Sequence, residues 1–211
     1  MIDYILRKIQ GADTYFKIRK FKKKMGYCGQ NVVLSGNIIC QHPENIYMYD
    51  NSHIFGPFRY IGKKGKLIIK SNSGSAQGLT VIANGHLRTI GKLFLGGENW
   101  EGRSLDLDVI IEEDVWIGAN VTILGQSTIG RGATIGAGCV IRHSIPRYAI
   151  VVGNPDKIIG FCYTPEEMIE HESNLYPDED RTDYDEYVKL YNKYYLSCIK
   201  EIRAYLSLKI K

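Results

Sequence analysis

Isoleucine occupies every sixth position between residues 111 and 141, at Ile111, Ile117, Ile123, Ile129, Ile135 and Ile141. The chain there divides into IEEDVW, IGANVT, ILGQST, IGRGAT, IGAGCV and IRHSIP. A helix repeats its apolar positions about every 3.6 residues and a half-buried strand about every 2, so neither produces this ladder. A coil of three short strands does: each unit supplies one flat face and one turn, and stacked coils bring the isoleucines over one another in an interior column. The period predicts an all-β, left-handed parallel β-helix. The fifth place of each unit is small or β-branched (Val115, Val121, Ser127, Ala133, Cys139), as the space beside such a column requires. Glycine follows the isoleucine at 118, 130 and 136, where a tight corner is expected to need a positive φ.

The ladder can be followed backwards through breaks that mark inserted loops. Ile69, Ser75 and Val81 open one set of units, Met48, Ile54 and Tyr60 an irregular earlier coil, and Cys28, Leu34 and Cys40 a weaker one. Between the unit VIANGH and Ile111 the stretch LRTIGKLFLGGENWEGRSLDLD has no period. It reads as a loop, residues 87–108, projecting from one corner of the prism, and long non-repeating loops in compact domains usually carry function. After Pro146 the repeat decays through RYAIVVGNPDKIIG. Thr164, Pro165 and Glu167 then form a capping box with proline at the first helical position. Asp183 and Glu186 suggest a second helix start. Tyr187, Tyr191, Tyr195, Ile199, Ile202 and Leu206 follow at spacings of three and four, an amphipathic helix of about six turns whose tyrosines read as packing residues. This gives three parts: a basic, partly helical cap at 1–24, a β-helix domain at 25–160, and a helical extension at 161–211.

Composition narrows the class. With 211 residues, 44% apolar and 24% charged, the chain is long enough for one well-buried core. No apolar stretch has the length of a membrane span and the N-terminus lacks the pattern of a signal peptide, so a cytoplasmic protein is expected. Five widely spaced cysteines with no CxxC pair argue against a disulfide framework and a zinc site. Residues 1–24 hold eight cations against Asp3 and Asp13, a net of +6, while the whole chain carries +4. Such a segment suits either an anionic membrane surface, at the inner face of the membrane, or a solvated helix capping the prism. One short basic tract with no binding module behind it does not suggest nucleic acid. GRGATIG imitates a phosphate-cradling loop, but its glycines fall in phase with the hexapeptide turns and need no nucleotide.

The run VIIEEDVWIGANVTILGQSTIGRGATIGAGCVIRHSIPRYAIVVGNPDKII resembles the hexapeptide acyltransferase family, in particular its galactoside, maltose and xenobiotic acetyltransferase branch, over residues 67 to 160. The tail FCYTPEEMIEHESNLYPDED is further similar to bacterial capsule and surface-polysaccharide O-acetyltransferases. The resemblance implies a homotrimer with active sites between neighbouring prisms, acetyl-CoA as co-substrate, no metal, and a sugar or polysaccharide hydroxyl as acceptor. Competing readings are N-acetylation of a nucleotide-linked amino sugar, acetylation of an antibiotic or other xenobiotic, and a non-catalytic scaffold, since fold does not fix substrate.

Acyl transfer to a hydroxyl needs a base, because a free alcohol is a weak nucleophile at neutral pH. Of five histidines, His86 closes VIANGH directly before the long loop, where the family's catalytic histidine sits; His42, His53, His143 and His171 lie outside that motif. By the same resemblance Trp116 walls the cleft against pantetheine or acceptor, at an outward place that leaves its ring little core to fill. Gly118, Ala119, Ala137 and Arg142 match positions of the coenzyme A channel, with the Ala119 amide as candidate oxyanion donor. Lys157, Arg142 and Arg147 are candidates for the anionic nucleotide end, or are solvated surface. Asn84 is a candidate to orient the imidazole or the acceptor. In the loop, Arg88, Glu98, Asn99, Trp100 and Arg103 mix aromatic and hydrogen-bonding groups that suit a sugar.

Overall fold

The computed structural model describes residues 13–93 and 104–195. Residues 1–12, the loop side chains Glu98, Asn99, Trp100 and Arg103, and Cys198, Ile199, Ile202 and Leu206 lie outside them.

The chain forms a left-handed parallel β-helix whose three faces are sheets of five, seven and five strands among the described residues. The first face stacks Tyr27–Cys28, Ile46–Met48, Leu67–Ile69, Val109–Ile111 and Ser127–Ile129. The second runs from Val33–Leu34 through His53–Ile54, Gly74–Ser75, Trp116–Ile117 and Thr134–Ile135 to Ala149–Val152, and the third from Ile38–Ile39 through Phe58–Ile61, Thr80–Ile82 and Thr122–Leu124 to Val140–Ile141. All six ladder isoleucines are buried. Burying each such side chain contributes about 1.5–3 kcal/mol, so the column supplies much of the drive to fold.

The earlier coils are as regular in space as the later ones. Cys28 pairs with Met48, Met48 with Ile69 and Ile69 with Ile111, while Leu34, Ile54, Ser75 and Ile117 form a second unbroken column. What looks irregular along the sequence is corner length, not register. The decay after Pro146 is likewise only apparent: Ile145 bridges to Ile129 and Val151 pairs with Ile135 before Lys157–Phe161 turns back antiparallel along the second face.

The corners separate two uses of glycine, and the expectation for Gly118, Gly130 and Gly136 is corrected. None of the three has a positive φ; the left-handed residues stand two places later, at Asn120, Gly132 and Gly138. Gly118 and Gly130 are needed because the next coil lies too close. A Cβ on Gly118 would come 2.6 Å from the Ala137 nitrogen, and one on Gly130 2.6 Å from the Arg147 nitrogen. At another corner Asn31, Asn51 and Asn72 share the left-handed conformation and stack their amides, Nδ2 to Oδ1, at 3.0 and 3.3 Å. Asparagine tolerates that conformation and here also satisfies its neighbour.

Both ends of the prism are covered. Residues 13–22 form a helix (α1) whose Ile18 and Phe21, followed by Met25, pack on the core of the first coil. At the other end Pro165–Leu175 (α2) begins in the expected capping box, with Thr164 and Glu167 bonding reciprocally. Residues 184–195 (α3) lie against the strand Lys157–Phe161: Tyr191 stacks on Phe161 at 5.7 Å, and Tyr187 is buried beside Tyr148. The tyrosine stripe is packing, on this chain's own prism.

The two glycine roles are separable by substitution. Gly138→Asn, one coil beyond Asn120, should change stability by less than about 0.5 kcal/mol, because asparagine already occupies the equivalent corner. Gly118→Asn should cost about 2–3 kcal/mol through the backbone contact. Urea midpoints at constant slope test this, and equal costs would contradict it.

Candidate active site

The period breaks at Asn84–His86, which leaves the third face and pairs antiparallel with Ser104–Asp106 as a hairpin. The excursion therefore starts three residues before the expected loop boundary and returns on a strand of its own. Asn84 and His86 are two apart on this strand and project from the same side of it. His86 is exposed, with its backbone opposite Ser104. Asn84 lines a cleft of about 390 Å³ whose other walls include Ile39, Gln41, His42, Ile61 and Lys63. That volume is within the range of small-ligand sites, and the cleft combines aliphatic floor with polar rim. His42 is held there by Glu44, 3.0 Å from its Nδ1, and the same hydrogen bond helps keep the Glu44 carboxyl below its usual range, behind the larger effect of its own backbone amide. Tyr60 forms the inner wall; burial pushes its phenol up to about 12, and it donates to the Gly65 carbonyl.

A second cluster forms on the second face and its following corner. Trp116 stands outward on its strand, 46% exposed. Beneath it, in the same outward row, lies His53, its ring centroid 6.1 Å from Trp116 and 4.8 Å from Phe55. His53 fits because the intervening residue is Gly74, where a Cβ would come 2.1 Å from the ring. A usable signal for this neighbour lies in the ladder itself: His53, Gly74 and Trp116 each precede a ladder residue. At the corner Gly118 lies against Ala137, and the Ala119 carbonyl accepts from the Gly138 amide at 2.8 Å. Among the described residues the amides of Ala119 and Ala137 have no hydrogen-bond acceptor, which leaves both able to donate to a ligand.

The expected residues thus fall into two groups. Trp116, Gly118, Ala119 and Ala137 come together, and so do Asn84 and His86. The groups do not meet within one chain, because the hairpin stands on the edge between the third and first faces, opposite the second. Arg142 lies on the hairpin's edge one coil beyond the Val109–Leu124 coil, exposed, 3.9 Å from Asp156, whose other oxygen is 2.8 Å from His143. Lys157 is exposed and begins the antiparallel strand.

Arg147 is not offered to a ligand, which corrects its placement at a nucleotide. It donates to Thr182 Oγ1 at 2.6 Å and lies 3.4 Å from Glu112 and 3.5 Å from Glu172. It borders a cleft of about 660 Å³ whose rim carries Glu179, Asp183 and Glu186, an unfavourable setting for phosphate. Glu172, fully buried on α2, is the centre of this cluster. It accepts from Arg131, Tyr148 and Tyr187 on one oxygen, at 3.2, 3.2 and 2.7 Å, and from the Thr182 amide on the other. The Arg131 guanidinium also lies 3.7 Å from the centre of the Tyr176 ring. Burial, then the Glu172 charge, pushes the Tyr148 phenol far above its ordinary value, and burial does the same to Tyr187. The cluster is structural: it fastens the helical tail to the last coils.

The comparisons with known proteins agree with the fold. The family description "Bacterial transferase hexapeptide (six repeats)" matches residues 108–143. A Saccharomyces cerevisiae protein assigned as an acetyltransferase is 28% identical over 149 residues, 70% of this chain and 72% of that one. An Escherichia coli protein assigned as a lipopolysaccharide biosynthesis O-acetyl transferase is 47% identical over 51 residues, 24% of this chain and only 26% of its own length. Among solved structures, the maltose O-acetyltransferase of Clostridium difficile is 25% identical with a TM-score of 0.59, over 68% of this chain and 73% of that one. A galactoside acetyltransferase in complex with coenzyme A, 20% identical with a TM-score of 0.54 over 77% of this chain and 75% of that one, shares the fold.

Two outcomes follow from the buried groups. Glu172→Ala should cost about 3–5 kcal/mol, since it leaves Arg131 buried beside unpaired phenols, and the loss should appear in thermal melts. Tyr60, with an ordinary value of 10.0, holds its proton longer folded than unfolded. Its contribution to stability is therefore full below pH 10.0 and declines as the pH rises toward about 12. Tyr60→Phe should flatten that alkaline decline in urea titrations, and an unchanged slope would refute the assignment.

Proposed function

We propose that this chain, which is similar to the hexapeptide transferases over residues 108–143, transfers an acetyl group from acetyl-CoA to a hydroxyl of a sugar or bacterial surface polysaccharide, in the cytoplasm and as a homotrimer. The observation that carries the reading is the interruption of the ladder at His86, an exposed imidazole on the same strand side as a cleft of small-ligand size. In this reading the acceptor sugar lies in that cleft, with Ile39 and Ile61 against its apolar face and Asn84, Gln41 and His42 beside its hydroxyls. His86 takes the hydroxyl proton as the oxygen attacks the thioester carbonyl. The Ala119 amide stabilises the tetrahedral oxyanion; the carbon–sulfur bond then breaks, and the imidazolium returns its proton to the departing thiolate. Direct transfer in a ternary complex needs no metal and no acyl-enzyme.

The acyl donor would lie along the second cluster, where Trp116 gives a flat apolar wall and Gly118 and Ala137 let pantetheine approach the backbone. Because that cluster and His86 stand on opposite sides of one prism, donor and base are brought together by neighbouring copies. The exposed apolar side chains Val33, Phe55, Trp116 and Val152, spread over two outward rows of the second face, suit such contact. Arg142 and Lys157 are the cations assigned to the nucleotide end; Arg147 is left out. Support for a polysaccharide acceptor is the resemblance of the tail and the match to the lipopolysaccharide O-acetyl transferase.

His86→Ala should lower turnover roughly 10²-fold with the thermal shift by acetyl-CoA unchanged. His42→Ala, at the other imidazole of the cleft, should keep the rate within about threefold, since it serves binding and not proton transfer. Near-normal turnover in His86→Ala, or a larger loss at His42, would displace His86 as the base. Preferred acetylation of an amino sugar at nitrogen would replace the hydroxyl reading.

A further inference from the structure

The acetyl-transfer reading makes no use of the helix that closes the N-terminal end of the prism. The inward side of α1 is accounted for: Ile18 and Phe21 pack on the first coil, and Lys22 reaches the Val32 carbonyl, which has no preceding coil to bond to. Among the described residues the outward side is not. Tyr15 and Phe16 are 62% and 63% exposed, with ring centroids 5.8 Å apart. Helical spacing places Arg19, and Lys23 just past the helix end, in line with Tyr15, and Lys20 in line with Phe16, and all three cations are exposed. Lys17 is paired with Asp13 at 2.6 Å, and from Thr14 to Lys24 there are six cations and no acid.

We propose that this outward face is a docking surface for an anionic lipid bilayer, which seats the N-terminal end of the prism on the membrane. Two aromatic rings side by side in water are costly on a helix whose packing needs are already met. At a bilayer surface the rings enter the boundary between headgroups and acyl chains while the flanking cations meet lipid phosphates. A second copy is a poor occupant, because it would bring Arg19, Lys20 and Lys23 of one face against the same three cations of the other. The face is the outer surface of the end cap, so the prism axis stands roughly normal to the membrane. Three parallel prisms would present three such faces in one plane and multiply the attachment. The docking itself does not depend on the acetyl-transfer reading.

The test is sedimentation of the full chain with vesicles of phosphatidylcholine containing about 30% phosphatidylglycerol, against phosphatidylcholine alone, at low salt. The wild type should bind only the anionic vesicles. Arg19→Gln, Lys20→Gln and Lys23→Gln together should weaken binding about 100-fold, roughly fivefold per charge. Tyr15→Ser with Phe16→Ser should weaken it at least tenfold, by about one decade for the lost apolar area, with charge unchanged. Both variants change only outward side chains and should keep the wild-type melting temperature and acetyl-CoA shift. No binding to anionic vesicles, equal binding to neutral ones, or full binding by the aromatic variant overturns the proposal. So does loss of subunit association in that variant by ultracentrifugation, which would give the face to a second copy, or tighter binding of an RNA homopolymer than of the vesicles.

Discussion

Each coil of the prism is hydrogen-bonded through its backbone to the next, and that stacking fixes what every side chain can do. The Gly118 amide donates to Ile135, the Gly136 amide to Val151 and the Ala76 amide to Ile117, at 2.7, 2.7 and 2.8 Å. With coils held one strand spacing apart, residues in equivalent places stand directly over one another. A polar group in an interior column finds no partner above or below it, so the columns are mostly aliphatic, and where Ser75 stands between Ile54 and Ile117 its buried hydroxyl has no hydrogen-bond partner among the described residues. Outside, the same rule builds ladders: stacked asparagine amides at one corner, and the outward row of His53, Gly74 and Trp116 on the second face. Even the exceptions obey it, since Gly132 must lack a side chain for the Tyr148 ring to occupy its place.

The ladder from Ile111 to Ile141 is legible because no corner in that stretch gains a residue. Earlier coils are spaced by 20 and 21 residues at Cys28, Met48 and Ile69, so their period is hidden although their register is intact. Periodicity reports which residues are equivalent and is silent about what surrounds them. This is why Gly118 and Gly130 could be recognised as special while the reason was misassigned: one chain direction suggests a turn, and only the neighbouring coil shows a collision. Arg147 is harder still. Its partners come from Glu112, Glu172 and Thr182, and no local pattern links an arginine after a proline to a carboxylate on a distant helix. For the candidate site, His86 and Trp116 stood out because each breaks or decorates the ladder, whereas His42 enters the cleft only through the stacking of three coils.

Stacking also creates a difficulty at each end, where a strand has no further coil to bond with. The two ends are closed by different means. At the C-terminal end the chain reverses along Lys157–Phe161, and the helices follow, fastened by Glu172. Among the described residues, α1 lies across the first coil at the N-terminal end. Among the described residues the C-terminal closure buries the Glu172 cluster, whereas the N-terminal one leaves Arg19, Lys20 and Lys23 exposed.

A regular prism has flat faces and convex edges, and neither can enclose a substrate. Concavity must come from an excursion or from a second prism. The excursion here is the hairpin at Asn84–His86, which overhangs the edge and forms a cleft with the two coils beneath it. On the proposed chemistry, that supplies one half of a transferase: a place for an acceptor and a base beside it. The wall suited to an acyl donor lies on the opposite face, across an interior packed with isoleucine and valine that nothing can traverse. On the proposed chemistry a single chain would bind both partners of the reaction and hold them apart. The rigidity of the column makes this separation permanent, and for that reason the proposed activity belongs to the assembly of copies and not to the folded chain alone.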